Sequence, residues 1–364
     1  MRKEFLTFWL IGWLIGSMSL FASAQEPAAF KTEISPARFR LIFYNLENAF
    51  DTIDDPYGGD DEFLPTGPRG WTPYRYWKKI RGIYKVIVAT GGWELPDLIG
   101  VCEVEHKQVL TDLIHHTPLS KQPYRILHKD SPDPRGMDVA ALYHPGRFEM
   151  VSHRFIPIPI EGKSSPTRDI LYIKGLVKQR DTLHVFFNHW PSKWQGALKT
   201  QAKRNQAAAT LRKQIDSIYH TEPDARIVAA GDFNDPPGAQ CLAKYLKALK
   251  PEGIPHEQKL YNLSFRWKSL PIGTQKYRAR WQLLDQIIVS GNLLLPGDEF
   301  NDSSGNPKPA LYTSPEWARI FAPVFLLTED LHYTGSKPFR TYTGYKYSGG
   351  FSDHLPVILD LHMQ

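Results

Sequence analysis

Apolar runs of about five residues, most of them ending on a polar side chain, recur along most of this sequence. The first, Phe39-Arg40-Leu41-Ile42-Phe43-Tyr44, stops at Asn45 and has the length of a buried strand. A loop rich in Asp, Gly and Pro follows over residues 51–73. Over residues 74–89 the period changes, and Trp77, Ile80, Tyr84 and Ile87 fall on one face of a helix. Residues 97–102 predict the next buried strand, and further strands are expected at 138–143, 170–177, 184–187, 226–230, 284–289 and 356–361. Helices are expected over 199–219 and 239–248. The alternation lacks a regular strand–helix–strand rhythm and several strands are spaced as hairpins. That combination points to mixed sheets in a layered α/β domain and away from a doubly wound parallel sheet. No repeat or linker interrupts residues 37–364, which read as one domain; the stretch 293–347, rich in Gly, Pro, Ser and aromatics, reads as a long excursion near the site.

The N-terminal residues carry a different signal. Arg2 and Lys3 precede an apolar run from Phe5 to Phe21, and Ala22-Ser23-Ala24 follows. These are the three parts of a secretory signal peptide, expected over residues 1–24 with cleavage after Ala24, a short linker over 25–36, and a secreted or periplasmic product. The run is broken by Gly12, Gly16 and Ser17 and is short of the roughly 20 residues that a spanning helix needs, so no stable membrane anchor is expected after cleavage.

Composition narrows the class. Hydrophobic residues at 42% are enough for a sizeable core, while charged residues at 23% exclude a disordered chain or a coiled coil. A net charge of +6 and a pI near 9.0 suit a polyanionic substrate or an anionic membrane surface, and equally a generally basic exported protein. Cys102 and Cys241 are the only cysteines; their pairing is left open, with Cys102 read as a buried thiol inside an apolar run. Two cysteines without histidines cannot build a zinc site.

What changes the picture is the position of the polar residues. Asn45 and Glu47 follow the first strand, Glu103 the second, and His189 follows Val185-Phe186-Phe187. Asp232 and Asn234 follow Ile227-Val228-Ala229-Ala230-Gly231, Asp285 interrupts Leu283-Leu284-Asp285-Gln286-Ile287, and Asp353-His354 precede Leu355-Pro356-Val357. Each alone is an ordinary turn or cap residue. Six such places in one chain fit side chains converging in a crevice at one edge of a sheet.

These segments resemble, in order, the five signatures of the endonuclease/exonuclease/phosphatase superfamily: Tyr44-Asn45-Leu46-Glu47, Cys102-Glu103-Val104-Glu105, Gly231-Asp232-Phe233-Asn234, Leu284-Asp285-Gln286-Ile287 and Ser352-Asp353-His354-Leu355-Pro356. The resemblance implies a four-layer α/β/β/α sandwich of two mixed β-sheets flanked by helices. It implies Glu103 as principal metal ligand supported by Asn45, with Glu47 a weaker candidate and Glu105 the competing carboxylate. The oxygen-only set suits Mg²⁺, with Mn²⁺ or Ca²⁺ as alternatives. Asp285 would orient His354, Asp232 and Asn234 would hold the nucleophile and a phosphate oxygen, and Asp353 would lie beside the metal or His354. Such residue types serve in-line displacement at an anionic phosphorus, where cations offset charge and a base aligns water.

Arg168 in Ser165-Pro166-Thr167-Arg168 and His189 in Asn188-His189-Trp190-Pro191 resemble the Arg and second His of pancreatic-type deoxyribonucleases. The resemblance implies that Arg168 clamps the phosphate, that His189 acts as acid at the leaving oxygen, and that Asp138 pairs with His189. The segment from His189 to Trp194, with Lys199, Lys203 and Arg204 beyond it, resembles exported bacterial nucleases; its cations and tryptophans are read either as a nucleic-acid track or as a solvated helix face with core tryptophans. The loop with Asp54, Asp55, Asp60, Asp61 and Glu62 is read as a cation holder or a solvated acidic loop. The expectation is an exported, Mg²⁺-dependent phosphodiesterase hydrolysing DNA or RNA. The alternatives are a sphingomyelinase-like or sugar/inositol-phosphate phosphoesterase, or a non-catalytic binding protein on the same fold.

Overall fold

The fold is that of a computed structural model, which describes residues 38–56, 59–160, 167–193, 196–295 and 310–363. The expected signal peptide, the linker over 25–36 and Trp194 lie outside the described residues. Among the described residues no helix is long and apolar enough to cross a membrane.

The first apolar run is the centre of β1 (Arg38–Ala49). Its side chains alternate as a two-residue period demands: Phe39, Leu41 and Phe43 enter one hydrophobic cluster, and Ile42 and Tyr44 enter another. β1 pairs parallel with β2 (Leu98–Val104) and antiparallel with β20 (Val357–Met363). The first sheet is completed by β3 (Arg125–Leu127), β4 (Asp138–Tyr143), β14 (Leu311–Tyr312) and β15 (Ala318–Ile320), in the order β14-β20-β1-β2-β4-β3 with β15 also on β20.

The second sheet runs β5-β6-β7-β8-β13-β10-β9. Its strands are β5 (Phe148–Ile156), β6 (Ile170–Val177), β7 (Asp181–His189), β8 (Ile227–Asp232), β9 (Ala248–Leu249), β10 (Leu260–Asn262) and β13 (Asp285–Ser290). Only β7–β8 and β9–β10 pair parallel within it; the other neighbours are antiparallel.

Three apolar clusters define the layers. The cluster of Phe39, Leu41 and Phe43 with Val185, Phe187 and Ile287 lies between the two sheets. The outer face of the first sheet is covered by α1 (Pro73–Gly91) and α2 (Lys107–His115), through Ile80, Ile83, Ile87 and Leu110. The outer face of the second is covered by α3 (Ala197–Thr221), through Ala207, Leu211 and Ile215. This is the expected α/β/β/α sandwich. The sheets approach closely at Gly100, where an added Cβ would stand 2.2 Å from Cδ1 of Phe187.

Several local expectations change. The helix expected over 239–248 is a single wide turn, Cys241–Tyr245, after which Lys247 takes a positive φ of 61° and the chain turns into β9. Neither α2 nor β5 was anticipated; β5 is largely exposed and carries Glu149, His153 and Arg154, so it lacks an apolar signature. The described part of the 293–347 excursion adds β14 and β15 to the first sheet. It also forms two hairpins, β16–β17 (Leu327–Glu329, Ser336–Pro338) and β18–β19 (Tyr342–Thr343, Lys346–Tyr347). Cys102 and Cys241 are both buried and free.

Candidate active site

Strands β1, β2, β7 and β8 all end, and β13 starts, on the same side of the sandwich, because β7 and β8 are parallel and β13 runs antiparallel to β8. The register aligns Asp285 with Asp232 and His189 with Asp232 across the second sheet, and Asn45 with Cys102, next to Glu103, across the first. The strand-end polar residues are therefore neighbours.

Backbone irregularity turns two of them into the crevice. Glu103 sits at a bulge, where the pairing of β2 slips against both β1 and β4, with φ of 58°. Asn234 has φ of 52°. Left-handed backbone at residues other than glycine is costly and persists where surrounding contacts over-determine it. Asn48, at φ 50°, donates its N–H to Oε2 of Glu103 at 3.0 Å, and Asn234 donates its N–H to Oδ1 of Asp232 at 2.9 Å. Gly231 admits no side chain, since a Cβ there would stand 2.3 Å from the carbonyl oxygen of Asn188.

The centre is built around three carboxylates. The amide nitrogen of Asn45 donates to Oε1 of Glu103 at 3.1 Å and to Oδ2 of Asp232 at 3.2 Å. Nε2 of His189 lies 3.8 Å from each of the same two oxygens. Nδ1 of His354 pairs with Oδ2 of Asp285 at 2.6 Å, and its Nε2 lies 3.9 Å from Oδ2 of Asp232. Both members of the Asp285–His354 pair are buried. Burial alone would depress the imidazole, but the charge and hydrogen bond of Asp285, with the charges of Asp232 and Asp353, outweigh it and hold His354 protonated well above its ordinary range. Burial lifts the Asp232 carboxyl to about 7 despite the neighbouring imidazolium, and Asp285 and Glu103 add to the lift.

That crowding bears on a metal. Glu103 and Asp232 offer carboxylate oxygens without a thiolate, while Asn45 turns its amide nitrogen to both and its Oδ1 to the N–H of Glu47; burial first, then the charges of Asp285 and Glu103, leave Asp232 reluctant to ionise. A hard divalent cation fits this donor set. Asp232, Asp285 and His354 also bring three ligand-type atoms within 4.8 Å of one another.

Other expected residues stand differently. Asp138 does not pair with His189: Oδ2 lies 3.0 Å from Nε2 of His128, and Oδ1 accepts the N–H of Ser131. The physical reason is register, since Asp138 begins β4 on the far side of β2, opposite Val104. Nδ1 of His189 has no hydrogen-bond partner among the described residues. Its Nε2 accepts from Nη2 of Arg168 at 3.1 Å, which places the ring proton on Nδ1. Burial, then the Arg168 charge, push its pKa well below the ordinary value. A neutral imidazole of this kind does not suit the expected acid role. Arg168 is itself buried between His189 and Asp133, whose Oδ2 lies 3.3 Å from its Nε.

Glu47 is committed elsewhere: Oε1 accepts from Nε of Arg340 and Oε2 from the N–H of Thr341, at 3.0 and 2.6 Å. Asp353 pairs with Nη2 of the same Arg340 at 3.1 Å. Glu47 thus holds the 340–341 segment and is not free for a cation. Glu105 accepts the N–H of Asp51, and burial lifts its pKa to about 8. Trp190 is fully buried with its ring edge on Phe233, and Arg204 is fully buried on Asp235, so neither belongs to an open nucleic-acid track. Asp133, Arg340, Thr274 and Lys79, whose Nζ donates to Oγ1 of Thr341 at 2.7 Å, support the site without any signal in the sequence. Thr274 accepts the N–H groups of Leu284 and Asp285 on Oγ1, and its carbonyl accepts the N–H of Leu355.

The profile of the Endonuclease/Exonuclease/phosphatase family matches residues 40–363. The chain belongs to the endonuclease/exonuclease/phosphatase family. No curated protein matches it. Among solved structures it is similar to a humanized D. rerio TDP2 carrying 14 mutations, at 13% identity and a TM-score of 0.52, covering 90% of this chain and 99% of that one. It is similar to a family protein from Bacteroides thetaiotaomicron at 14% and 0.53, covering 90% and 98%. It is also similar to D. rerio TDP2 complexed with a single strand DNA product, at 12% and 0.52, covering 90% and 99%. At such identities the likeness speaks for the fold, which is the phosphoesterase and nuclease scaffold of the family.

Proposed function

We infer that the protein is an exported, divalent-cation-dependent phosphodiesterase whose substrate is DNA or RNA. The carrying observation is the gathering of Glu103, Asn45, Asp232, Asp285, His354 and His189 at one sandwich edge, with separations between 2.6 and 3.9 Å. Glu103 and Asp232 would hold the cation, which when bound offsets charge on the phosphoryl oxygens, with the amide of Asn45 fixing their two carboxylates. Asn234 keeps Asp232 oriented through its N–H, and with Oδ2 of Asp232 3.9 Å from Nε2 of His354 this carboxylate is placed to align water beside the cation. His354, charged and braced by Asp285, supplies the positive hydrogen-bond donor facing the same point. It replaces His189 as donor to the leaving oxygen. His189 and Arg168 form a neutral-plus-cation pair on the opposite flank.

Export is supported by the basic, apolar and Ala22-Ser23-Ala24 pattern of the N-terminus. A nucleic-acid substrate is supported by the net charge of +6 and by the DNA product held by one structural relative. The test is a panel of plasmid DNA, RNA, sphingomyelin and an aryl phosphodiester, incubated with the purified protein in Mg²⁺ and again with chelator. Chelator-sensitive cleavage of DNA or RNA, lost in His354→Ala, is the expected result. Cleavage of sphingomyelin alone would replace nucleic acid by lipid, and no turnover at all would reduce the protein to a binder. Fractionation of producing cells checks export: uncleaved protein in the cytoplasm would overturn it.

A further inference from the structure

We propose that a groove beside Asp285 is a nucleoside-binding subsite, which stacks the base adjoining the scissile phosphate. It deepens the phosphodiesterase reading and rests on it for the identity of that phosphate. The groove has a volume of about 360 Å³ and its lining includes Lys193, Pro237, Lys268, Ile272, Trp281 and Leu284. Pockets of this size hold drug-sized ligands.

One wall, with Trp281 and Gln282, comes from the separate hairpin β11–β12 (Gln275–Tyr277, Arg280–Gln282), and the others come from the same edge of the second sheet as the catalytic residues. Pro237 lies on the loop that leaves β8 after Asn234, Leu284 directly precedes β13, and Lys268 and Ile272 follow the exit of β10. Since β8, β13 and β10 are successive strands, the groove begins within two strand spacings of Asp232, about 10 Å. The carbonyl of Leu284 accepts the N–H of Phe233 at 2.9 Å, and Thr274 ties Leu284 and Asp285 to Leu355. Groove floor, Asp232, Asp285 and His354 therefore form one hydrogen-bonded body, and a ligand seated in the groove is indexed to the reacting centre.

The lining chemistry selects the occupant. Trp281 is half-buried, packs on the cluster over the first sheet and also lines the groove, so its ring is the aromatic surface available there. Stacking on such a ring accepts any base. Two cations flank it. Nζ of Lys193 is held by Asp235 at 2.6 Å with the side chain 36% exposed, and Lys268 is exposed with Nζ 4.7 Å over the Phe265 ring. An acyl chain makes no use of two lysines and the amide of Gln282, which also lines the groove. A planar heterocycle with polar edges, joined to phosphate, uses all of them.

Calorimetric titration with two probes, thymidine 5′-monophosphate and deoxyribose 5-phosphate, isolates the base. The wild type is expected to bind the nucleotide about tenfold more tightly, as one stacked base allows. Trp281→Ala should erase that preference, and Lys268→Glu, an exposed change that spares the core, should weaken the nucleotide severalfold. Equal binding of the two probes by the wild type, or an undiminished preference in both variants, overturns the subsite. The readout needs no turnover: a protein that prefers the nucleotide but cleaves nothing keeps the subsite and loses the enzyme, and one that cleaves DNA without the preference does the reverse.

Discussion

Replacing Asp285 by Asn tests the charge assignment at the centre of the site. Asp285 is fully buried, its Oδ2 lies 2.6 Å from Nδ1 of His354, and its Oδ1 has no hydrogen-bond partner among the described residues. In the variant a charge-assisted bond becomes a neutral one and a buried NH₂ gains no acceptor, a loss of about 2 kcal/mol. For a domain this large the melting temperature should fall by roughly 3 °C. The pH dependence carries the sign. The folded-state pKa of His354 is raised, so the pair's contribution is fully present below the unfolded histidine value of about 6.5 and is lost as pH rises through the folded value. Urea unfolding in chelator, from about pH 5.5 to about pH 9, should show the largest gap between wild type and Asp285→Asn at the acid end, narrowing upward. Turnover should fall by roughly 10³-fold, within the range for a mispositioned acid–base imidazole. A stability gap that is flat or widens with pH would mean that Asp285 braces a neutral ring, and the imidazolium donor would have to be abandoned.

Glu103→Gln should weaken Mg²⁺ binding by calorimetry and lower turnover at least roughly 100-fold, because a bound cation supplies several kcal/mol to the transition state; retained Mg²⁺ affinity would move the cation elsewhere. Asp138→Asn should change turnover less than about threefold while costing about 1 kcal/mol in urea unfolding, as its partners are His128 and Ser131; a hundredfold loss would reinstate its coupling to His189. Gly100→Ala should lower the unfolding midpoint by the equivalent of about 1–3 kcal/mol, since the new Cβ meets Phe187 at 2.2 Å. An unchanged midpoint would show that the two sheets separate without cost.

The layered α/β class and the strand-end polar residues were legible in the linear chain because strand length, apolar content and side-chain alternation are local properties. The strands at Asp138–Tyr143 and Ile170–Val177 match their expected bounds, and the helix read from Trp77, Ile80 and Tyr84 is α1. Partnerships are another matter. Asp138 and His189 are 51 positions apart, and nothing in either neighbourhood says that β4 belongs to the first sheet and β7 to the second. Arg204 reads as an exposed cation on a polar helix until α3 packs on the second sheet and drives it onto Asp235. Arg340 lies in a stretch without periodicity, and only the chain's return to the site edge sets it between Glu47 and Asp353. The outward turn of Glu103 depends on a bulge that two neighbouring strands impose together. Residue type and spacing thus determined which chemistry is present, and sheet order and register decided who touches whom, because contacts between distant segments are set by packing that no local pattern encodes.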